Sequence, residues 1–220
     1  MKPYFETKLG RLWHGDCLDG IQNLNHVDLV LTDPPYGKDI AKTGRIGGRK
    51  LAPVKDYGAS DWDEKPPPPE YFYRLPKISK NQIIFGGNYF IEWLKNGPCW
   101  LVWDKDNTGN FADCELAWTS FDTSVRKFKH RWNGMLQECG GKDKEIRYHP
   151  TQKPVGLFVQ ILDKYSKDSD IVLDTHLGSG TTAIACERLG LKWIGIEISE
   201  AYCEIAAKRI EKENQQLKLF

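Results

Sequence analysis

The chain has 220 residues, of which 40% are hydrophobic and 28% charged, with eight Trp, nine Tyr and nine Phe. This is ample material for an α/β core and excludes a wholly disordered chain. A net charge of +1 argues against a nucleic-acid binder working by bulk charge, and the lack of any apolar run near ~20 residues excludes a membrane-spanning helix. Six cysteines (Cys17, Cys99, Cys114, Cys139, Cys186, Cys203) form no C-x-x-C pair. They read as reduced thiols of a cytoplasmic protein, with neither a disulfide framework nor a metal site expected.

In chain order, a first strand is predicted over about 11–16. A compact apolar strand over 27–32 runs straight into Asp33-Pro34-Pro35-Tyr36. The stretch from Gly37 to Gly58 is rich in Gly and Lys and aperiodic, which predicts a mobile loop covering 37–66, and Pro66–Pro69 read as a polyproline spacer. Strands follow over 82–86, 99–103, 115–121 and 124–132, with helices over 87–95 and 155–166. The C-terminal part predicts a strand at 170–174, a helix at 180–189 stopped by Gly190, a strand at 192–198 and a helix at 199–215 capped by Ser199. Strands and helices mixed in this way mean an α/β fold, here a mixed, mostly parallel sheet with helices on both faces.

Two places carry chemistry. The first is the segment DIVLDTHLGSGTTAIACERLGLKWIGIE, in which a strand ends at Asp174, Gly178-Ser179-Gly180 form a turn and a helix begins at once. Ala183 completes a G-x-G-x-x-G/A pattern, and Glu197 ends the next strand. Such a turn brings bare backbone and a helix N-terminus to a ligand, and the acid meets ribose hydroxyls. Too little chain follows to complete a doubly wound sheet, so the remaining parallel strands must come from upstream, as in a circular permutation. The second is Asp33-Pro34-Pro35-Tyr36 at a strand end. Two prolines make a stiff platform with free carbonyls. Asp33 and the Pro34 carbonyl suit the two N–H groups of an exocyclic amine, and Tyr36 offers a ring face for stacking.

These residues, together with HGDCL near the start, GGNYF at 86–90, VWDK at 102–105 and HPTQKPVGL at 149–157, resemble the S-adenosylmethionine-dependent DNA amino-methyltransferases of the permuted beta group, in the compact form of phage or prophage enzymes. The resemblance implies a single Rossmann-like class I methyltransferase domain over 1–220, with the glycine loop and the Asp33 motif facing one crevice. It implies methyl transfer to DNA, with adenine N6 favoured over cytosine N4 by the Asp at position 33, in the cytoplasm of a bacterium or an infected host and with a homodimer as a possible assembly. By this likeness Asp33, Pro34, Pro35 and Tyr36 meet the target base. Asp16, Cys17, Asp33, Thr151, Lys153, Asp174, His176, Gly178, Ser179, Gly180, Thr181, Thr182 and Glu197 surround S-adenosyl-L-methionine, with Thr151 and Lys153 near its methionine end. Thr175-His176 depart from the family's usual Pro-Phe.

Two basic runs flank these motifs. Lys38, Lys42, Arg45, Arg49 and Lys50 lie in the first, and Arg126, Lys127, Lys129 and Arg131 in the second, with aromatics interleaved in VRKFKHRW. They are candidates for DNA phosphate contacts, and about 125–148 is the candidate target-recognition insertion. Two rival readings stand beside this one. The glycine fingerprint alone also fits a nicotinamide-dependent oxidoreductase, and a DNA-binding protein of the same fold with little turnover is the non-enzyme alternative.

Overall fold

Strand β3 (Val27–Thr32) is buried along almost its whole length, as a run that is apolar but for Asp28 near its start and Thr32 at its end requires of a strand covered on both faces. It lies at the middle of a nine-stranded sheet in a computed structural model that describes residues 2–38, 45–46, 55–56, 64–106, 112–133, 136–138 and 144–217. With β1 (Phe5–Glu6), β2 (Gly10–His14), β6 (Ser79–Phe85), β7 (Trp100–Asp104), β8 (Cys114–Thr119), β9 (Arg126–Lys129), β12 (Ile171–Asp174) and β13 (Lys192–Glu197), the order is β1-β2-β13-β12-β3-β6-β8-β7-β9. The five strands β2, β13, β12, β3 and β6 are mutually parallel, while β1 pairs antiparallel with β2 and β8 runs against both β6 and β7. The short hairpins β4–β5 (Arg45–Ile46, Lys55–Asp56) and β10–β11 (Trp132–Asn133, Leu136–Gln137) stand apart from this sheet.

The C-terminal pair β12–β13 is inserted between β2 and β3 of the N-terminal part. This is the strand exchange that the late glycine loop demanded. The chain leaves β12 for β13 on one side, whereas β3 leads to β6 on the other. A crevice therefore opens beyond the carboxyl ends of β12 and β3, the switch point where ligands of open sheets gather.

Successive strand residues point to opposite faces, and each face has its own helices. Leu29, Leu31, Ile83, Phe85 and Val172 pack with α3 (Val155–Tyr165), α4 (Thr181–Leu189) and α5 (Glu200–Leu217). Val30, Ile84 and Leu173 pack with α1 (Cys17–Gln22) and α2 (Pro69–Ile78).

The sequence reading missed α1 and α2. The six-residue α1 is too short to show a period, although Asp16 caps it by accepting the Leu18 N–H at 2.7 Å. Helix α2 begins at Pro69, inside the stretch taken for a polyproline spacer, and buries Tyr71, Phe72 and Leu75. Proline at the first helical position fits there because that N–H has no intrahelical partner. The expected helix over 87–95 is only a 3-10 turn at Gly87–Tyr89. A Cβ at Gly87 would stand 2.4 Å from the Trp118 Cβ, so the turn is pressed against β8. The segment 125–148 is not wholly an insertion either: 126–129 forms β9 and continues the main sheet beside β7, turning Phe128 into the core. Most of the expected loop 37–66 lies outside the described residues.

Candidate active site

Four parallel strands end on one side of the crevice, and their carboxyl ends supply its walls. After β2 come Gly15, Asp16 and Cys17, after β3 Asp33 and Pro35, after β12 the run Asp174–Ser179, and at the end of β13 Glu197. Thr151, Gln152, Lys153, Thr181 and Thr182 line the same cleft, and His149, Tyr202 and Pro66–Pro68 close it. Its volume is about 260 Å³. The acid of the N-terminal motif and the glycine loop of the C-terminal motif thus share one cavity.

On the glycine-loop wall, polar groups are held mainly by backbone. The Glu197 carboxylate accepts the Gly178 N–H at 2.7 Å and the Ser199 N–H at 2.8 Å. Asp174 accepts the His176 N–H at 3.0 Å and the Thr182 hydroxyl at 2.5 Å, and burial pushes its carboxyl up to about 6. Gly178 and Gly180 have φ of +54° and +91°, a region that penalises side chains. A Cβ on Gly178 would meet nothing closer than His149 Cδ2 at 3.9 Å, so bare backbone faces open space in the cleft. At Gly180 it would press on the Ala206 Cβ at 3.1 Å, which is how α4 and α5 pack so closely. Arg209 donates to the Ser179 carbonyl at 2.5 Å and hydroxyl at 2.9 Å, and Ser179 donates to Gln152 Oε1 at 3.0 Å. The loop is thereby tied to the HPTQKP segment. These features fit a nucleoside: acids at the ends of β2 and β13 for hydroxyl and base edges, and exposed backbone between them.

Two histidines in this wall are neutral. Burial lowers His176 to about 4, and its Nδ1 lies 3.0 Å from the Thr175 hydroxyl, which in turn meets the hydroxyls of Tyr71 at 2.5 Å and Thr32 at 3.1 Å. The Thr175-His176 departure is therefore a buried hydrogen-bonded network with Tyr71, whose ring stands edge-on to His176 at 5.3 Å. Burial likewise lowers His149 to about 3, and its Nδ1 accepts the Thr151 N–H at 3.3 Å.

The opposite wall is made by side chains from distant stretches. Asp33 Oδ1 accepts the Tyr36 hydroxyl at 2.5 Å, and Oδ2 lies 2.5 Å from Lys153 Nζ. Lys153 also stands 3.1 Å from Glu115 Oε2, and Lys105 pairs with the other Glu115 oxygen. Burial works against the charge on Lys153, but the two carboxylates outweigh it and hold the ammonium well above its usual range. For Asp33, burial pushes the carboxyl up and Lys153 pulls it back. Lys153, expected near the methionine end of the cofactor, lines the cleft, and its ammonium rests between Asp33 and Glu115. Pro34 is buried and only half-buried Pro35 of the pair lines the cleft. Tyr36, expected to stack on the target base, is stacked on Tyr89 with ring centroids 5.0 Å apart, and a Cβ at Gly86 would lie 2.2 Å from its Cε1.

The basic runs are only partly on view. Lys42, Arg49 and Lys50 lie outside the described residues, as does the side chain of Arg45 on β4. Lys38 sits 4.0 Å above the Tyr89 ring, beside Tyr36. On β9, Arg126, Lys127 and Lys129 are exposed, but the run brings its own counter-ions. Lys127 pairs with Asp104 at 3.3 Å and Lys129 with Asp106 at 3.0 Å, and Arg131 pairs with Asp106. Those acids are over twenty residues upstream and come alongside only because β7 neighbours β9. Among the described residues no cluster of His, Cys, Asp or Glu could hold a metal ion, and no helix is long and apolar enough to cross a membrane.

Sequence reasoning did not single out Glu115, Lys105, Tyr89, Tyr71, Tyr202 or Arg209. His149 could have been found, since it opens the HPTQKP motif. Glu115 carried no local signal, because its placement depends on the antiparallel register that sets it opposite Trp103.

Comparison with known proteins agrees with this geometry. The family described as DNA methylase, of the N6/N4 methyltransferase type, matches residues 102–208. Type II methyltransferase M.HpaI of Haemophilus parainfluenzae is 41% identical over 244 aligned positions, covering 92% of this chain and 74% of that protein. M2.DpnII of Streptococcus pneumoniae is 26% identical, covering 97% and 94%. Among solved structures, a complex of M1.HpyAVI with SAM aligns with a TM-score of 0.61 at 22% identity, over 92% of this chain and 99% of that one. The PvuII DNA methyltransferase, described as cytosine-N4-specific, aligns with a TM-score of 0.62 at 19% identity, over 97% and 93%. These structures establish the α/β methyltransferase fold, and the relatives set aside the oxidoreductase that the glycine fingerprint alone allowed. With a relative this similar over most of both lengths, the chain belongs to the DNA methylase family, the amino-methyltransferases of the restriction–modification kind.

Proposed function

We propose that this protein transfers a methyl group from S-adenosyl-L-methionine to the N6 amine of an adenine turned out of DNA. The observation that carries the reading is the cleft shared by Asp33 and the Gly178–Glu197 wall. Asp16 and Glu197 are suited to the adenosine of the donor, the Gly178–Gly180 backbone to its middle, and Thr151 and the helix start at Thr181–Thr182 to its polar end. When bound, the donor supplies a methyl on a sulfonium, and its displacement by the amine nitrogen leaves a neutral thioether.

The residues of the chain do the rest by positioning and charge. The lone pair of an exocyclic amine is delocalised into the ring and attacks poorly. Hydrogen bonds from its two N–H groups to Asp33 and to the Pro34 carbonyl favour a more tetrahedral nitrogen and stabilise the positive charge that grows on it. Holding that nitrogen in line with the methyl supplies much of the acceleration. The nitrogen then sheds one proton to Asp33 or to water. A base inside a duplex cannot reach the cleft, so flipping is required, at a cost of a few kcal/mol offset by stacking on the Tyr36–Tyr89 pair. Arg126, Lys127 and Lys129 on β9 and Arg131 just beyond it, with Lys38, Lys42, Arg45, Arg49 and Lys50, are the proposed phosphate contacts, and 125–148 the proposed base-reading segment.

The test is methyl transfer from isotope-labelled S-adenosyl-L-methionine to bacterial DNA, followed by digestion to nucleosides. Label in N6-methyl-2′-deoxyadenosine supports the proposal. Label in N4-methyl-2′-deoxycytidine assigns the same chemistry to the other amine, and tight DNA binding without label supports the non-enzyme reading.

A further inference from the structure

The Asp33 carboxylate, which the proposed function gives to the target amine, already holds an ammonium. Lys153 Nζ lies 2.5 Å from Asp33 Oδ2 and 3.5 Å from the Tyr36 hydroxyl, on a side chain only 6% exposed. A third contact, at 3.1 Å, joins Nζ to Glu115 Oε2. That oxygen is buried and accepts no aligned hydrogen bond, whereas Glu115 Oε1 is taken by Lys105. Lys153 is thus closely hydrogen-bonded to one carboxylate and ion-paired at longer range, without an aligned hydrogen bond, to a second.

We propose that Lys153 is a positioning residue that stands in for the target amine, its ammonium resting on Asp33 in the free protein and passing to Glu115 when the base arrives. The inference rests on the reading of Asp33 as the amine acceptor. A neutral amine can replace an ammonium on a buried carboxylate only if the displaced charge finds another partner, because an unpaired buried charge is far costlier than a lost hydrogen bond. Glu115 supplies that partner within the reach of a flexible four-carbon stem. The ammonium stays near Asp33 throughout and opposes the upward push that burial exerts on its carboxyl.

Every charged or titratable group around Asp33 bears on this. Lys153 comes from the loop before α3, Glu115 from β8, Lys105 from the end of β7, Tyr36 from the same loop as Asp33 and Tyr89 from the 3-10 turn. Asp174, at the end of β12, senses Asp33, and His149 senses Lys153 but stays neutral. Of the cations in this set, only Lys153 touches Asp33. Removing it leaves Glu115 and Asp174 to push the Asp33 carboxyl up, so the acidic side of the activity profile must move to higher pH.

The experiment measures single-turnover methyl transfer to DNA against pH and against DNA concentration, with donor affinity followed by calorimetry, for the wild type, Lys153→Met, Glu115→Gln and the double variant. Lys153→Met is expected to shift the acidic limb upward by about one pH unit or more, the size of effect an adjacent opposite charge produces. Glu115→Gln removes the receiving carboxylate, and is expected to raise the apparent KM for DNA about tenfold with donor affinity unchanged and no upward shift of the limb. In the double variant no ammonium needs displacing, so KM returns to the wild-type value or below. If Lys153→Met fails to fold with two facing carboxylates, the Glu115→Gln and double variants still decide. An unshifted limb in a folded Lys153→Met, an unchanged KM in Glu115→Gln, or a double variant as impaired as Glu115→Gln would each overturn the inference while leaving wild-type methylation intact. A wild type that transfers no methyl would remove the underlying function, and the inference with it.

Discussion

On the glycine-loop wall of the cleft, the carboxylates of Glu197 and Asp174 are held by N–H groups and the Thr182 hydroxyl from at most nineteen positions away, with the Thr32 hydroxyl reaching Asp174 from the neighbouring strand. Across from it, Asp33 is held through Lys153 and Glu115, 120 and 82 residues distant, and every link is side chain to side chain. Backbone donors are fixed once the turn forms, so the first wall is ready for a ligand before it arrives. A chain of ammonium and carboxylate groups can exchange partners, so the second wall can answer the arrival of a base. The pairing of a rigid nucleoside cradle with an adjustable acceptor suits a reaction in which one reactant is bound and the other must be swung into place.

The largest effect that separates the walls is expected at Asp33. Asp33→Ala should lower the methyl-transfer rate a hundredfold or more, corresponding to roughly 3 kcal/mol of lost transition-state stabilisation, while donor affinity measured by calorimetry stays close to wild type. Equal loss of both would mean that the walls are not separable. Next in size is Gly86→Ala. It places a Cβ into the Tyr36 ring at a φ of +67°, and is expected to slow transfer about tenfold and to destabilise the fold by roughly 1–3 kcal/mol in urea titrations.

The donor wall has its own pH signature. The Asp174 carboxyl is raised from 3.8 to about 6 in the folded protein. A raised acid favours the fold in its protonated form, and that contribution is complete below about pH 4 and lost as pH rises through about 6. Ionised Asp174 at neutral pH therefore costs the fold on the order of 3 kcal/mol. Asp174→Asn should gain stability relative to wild type between pH 4 and pH 7 in urea unfolding, and parallel stability curves would contradict the assignment. The smallest effect is expected far from both walls. Asp106→Asn releases Lys129 and Arg131 from their counter-ion, and should raise DNA affinity severalfold at low salt and steepen its salt dependence by up to about one ion. Unchanged binding would remove the β9 edge from the DNA interface.

What was legible in the sequence follows the same division. The nucleoside wall is local: strand, glycine turn, helix start and acid succeed one another, and the structure sets Gly178, Ser179 and Glu197 in the cleft as that order implies. That upstream strands complete the sheet was also legible, because the late glycine loop left too few strands behind it; the place of β12–β13 between β2 and β3 was not. On the acceptor wall, Asp33 and Tyr36 were legible in one tetrapeptide and Lys153 in the HPTQKP motif, but not that Lys153 meets Asp33 or that Glu115 stands beside it. These partners are joined by sheet register and by the path of the HPTQKP segment, neither of which leaves a local pattern. The same holds for Asp104 and Asp106, which make the VRKFKHRW run far less positive than its sequence suggests. Helix α2 was hidden for a different reason, since Pro66–Pro69 read as a polyproline spacer although Pro69 stands where a helix tolerates proline.

The central claim is that one cleft brings the donor and the target amine together, with Asp33 on the amine's side. A crystal structure with S-adenosyl-L-homocysteine, the demethylated form of the proposed donor, tests it most directly. The expected result is the adenosine between Asp16 and Glu197, the chain along Gly178–Gly180 and the sulfur turned toward Asp33. A molecule bound elsewhere, or in this cleft with its sulfur facing away from Asp33, would contradict the account.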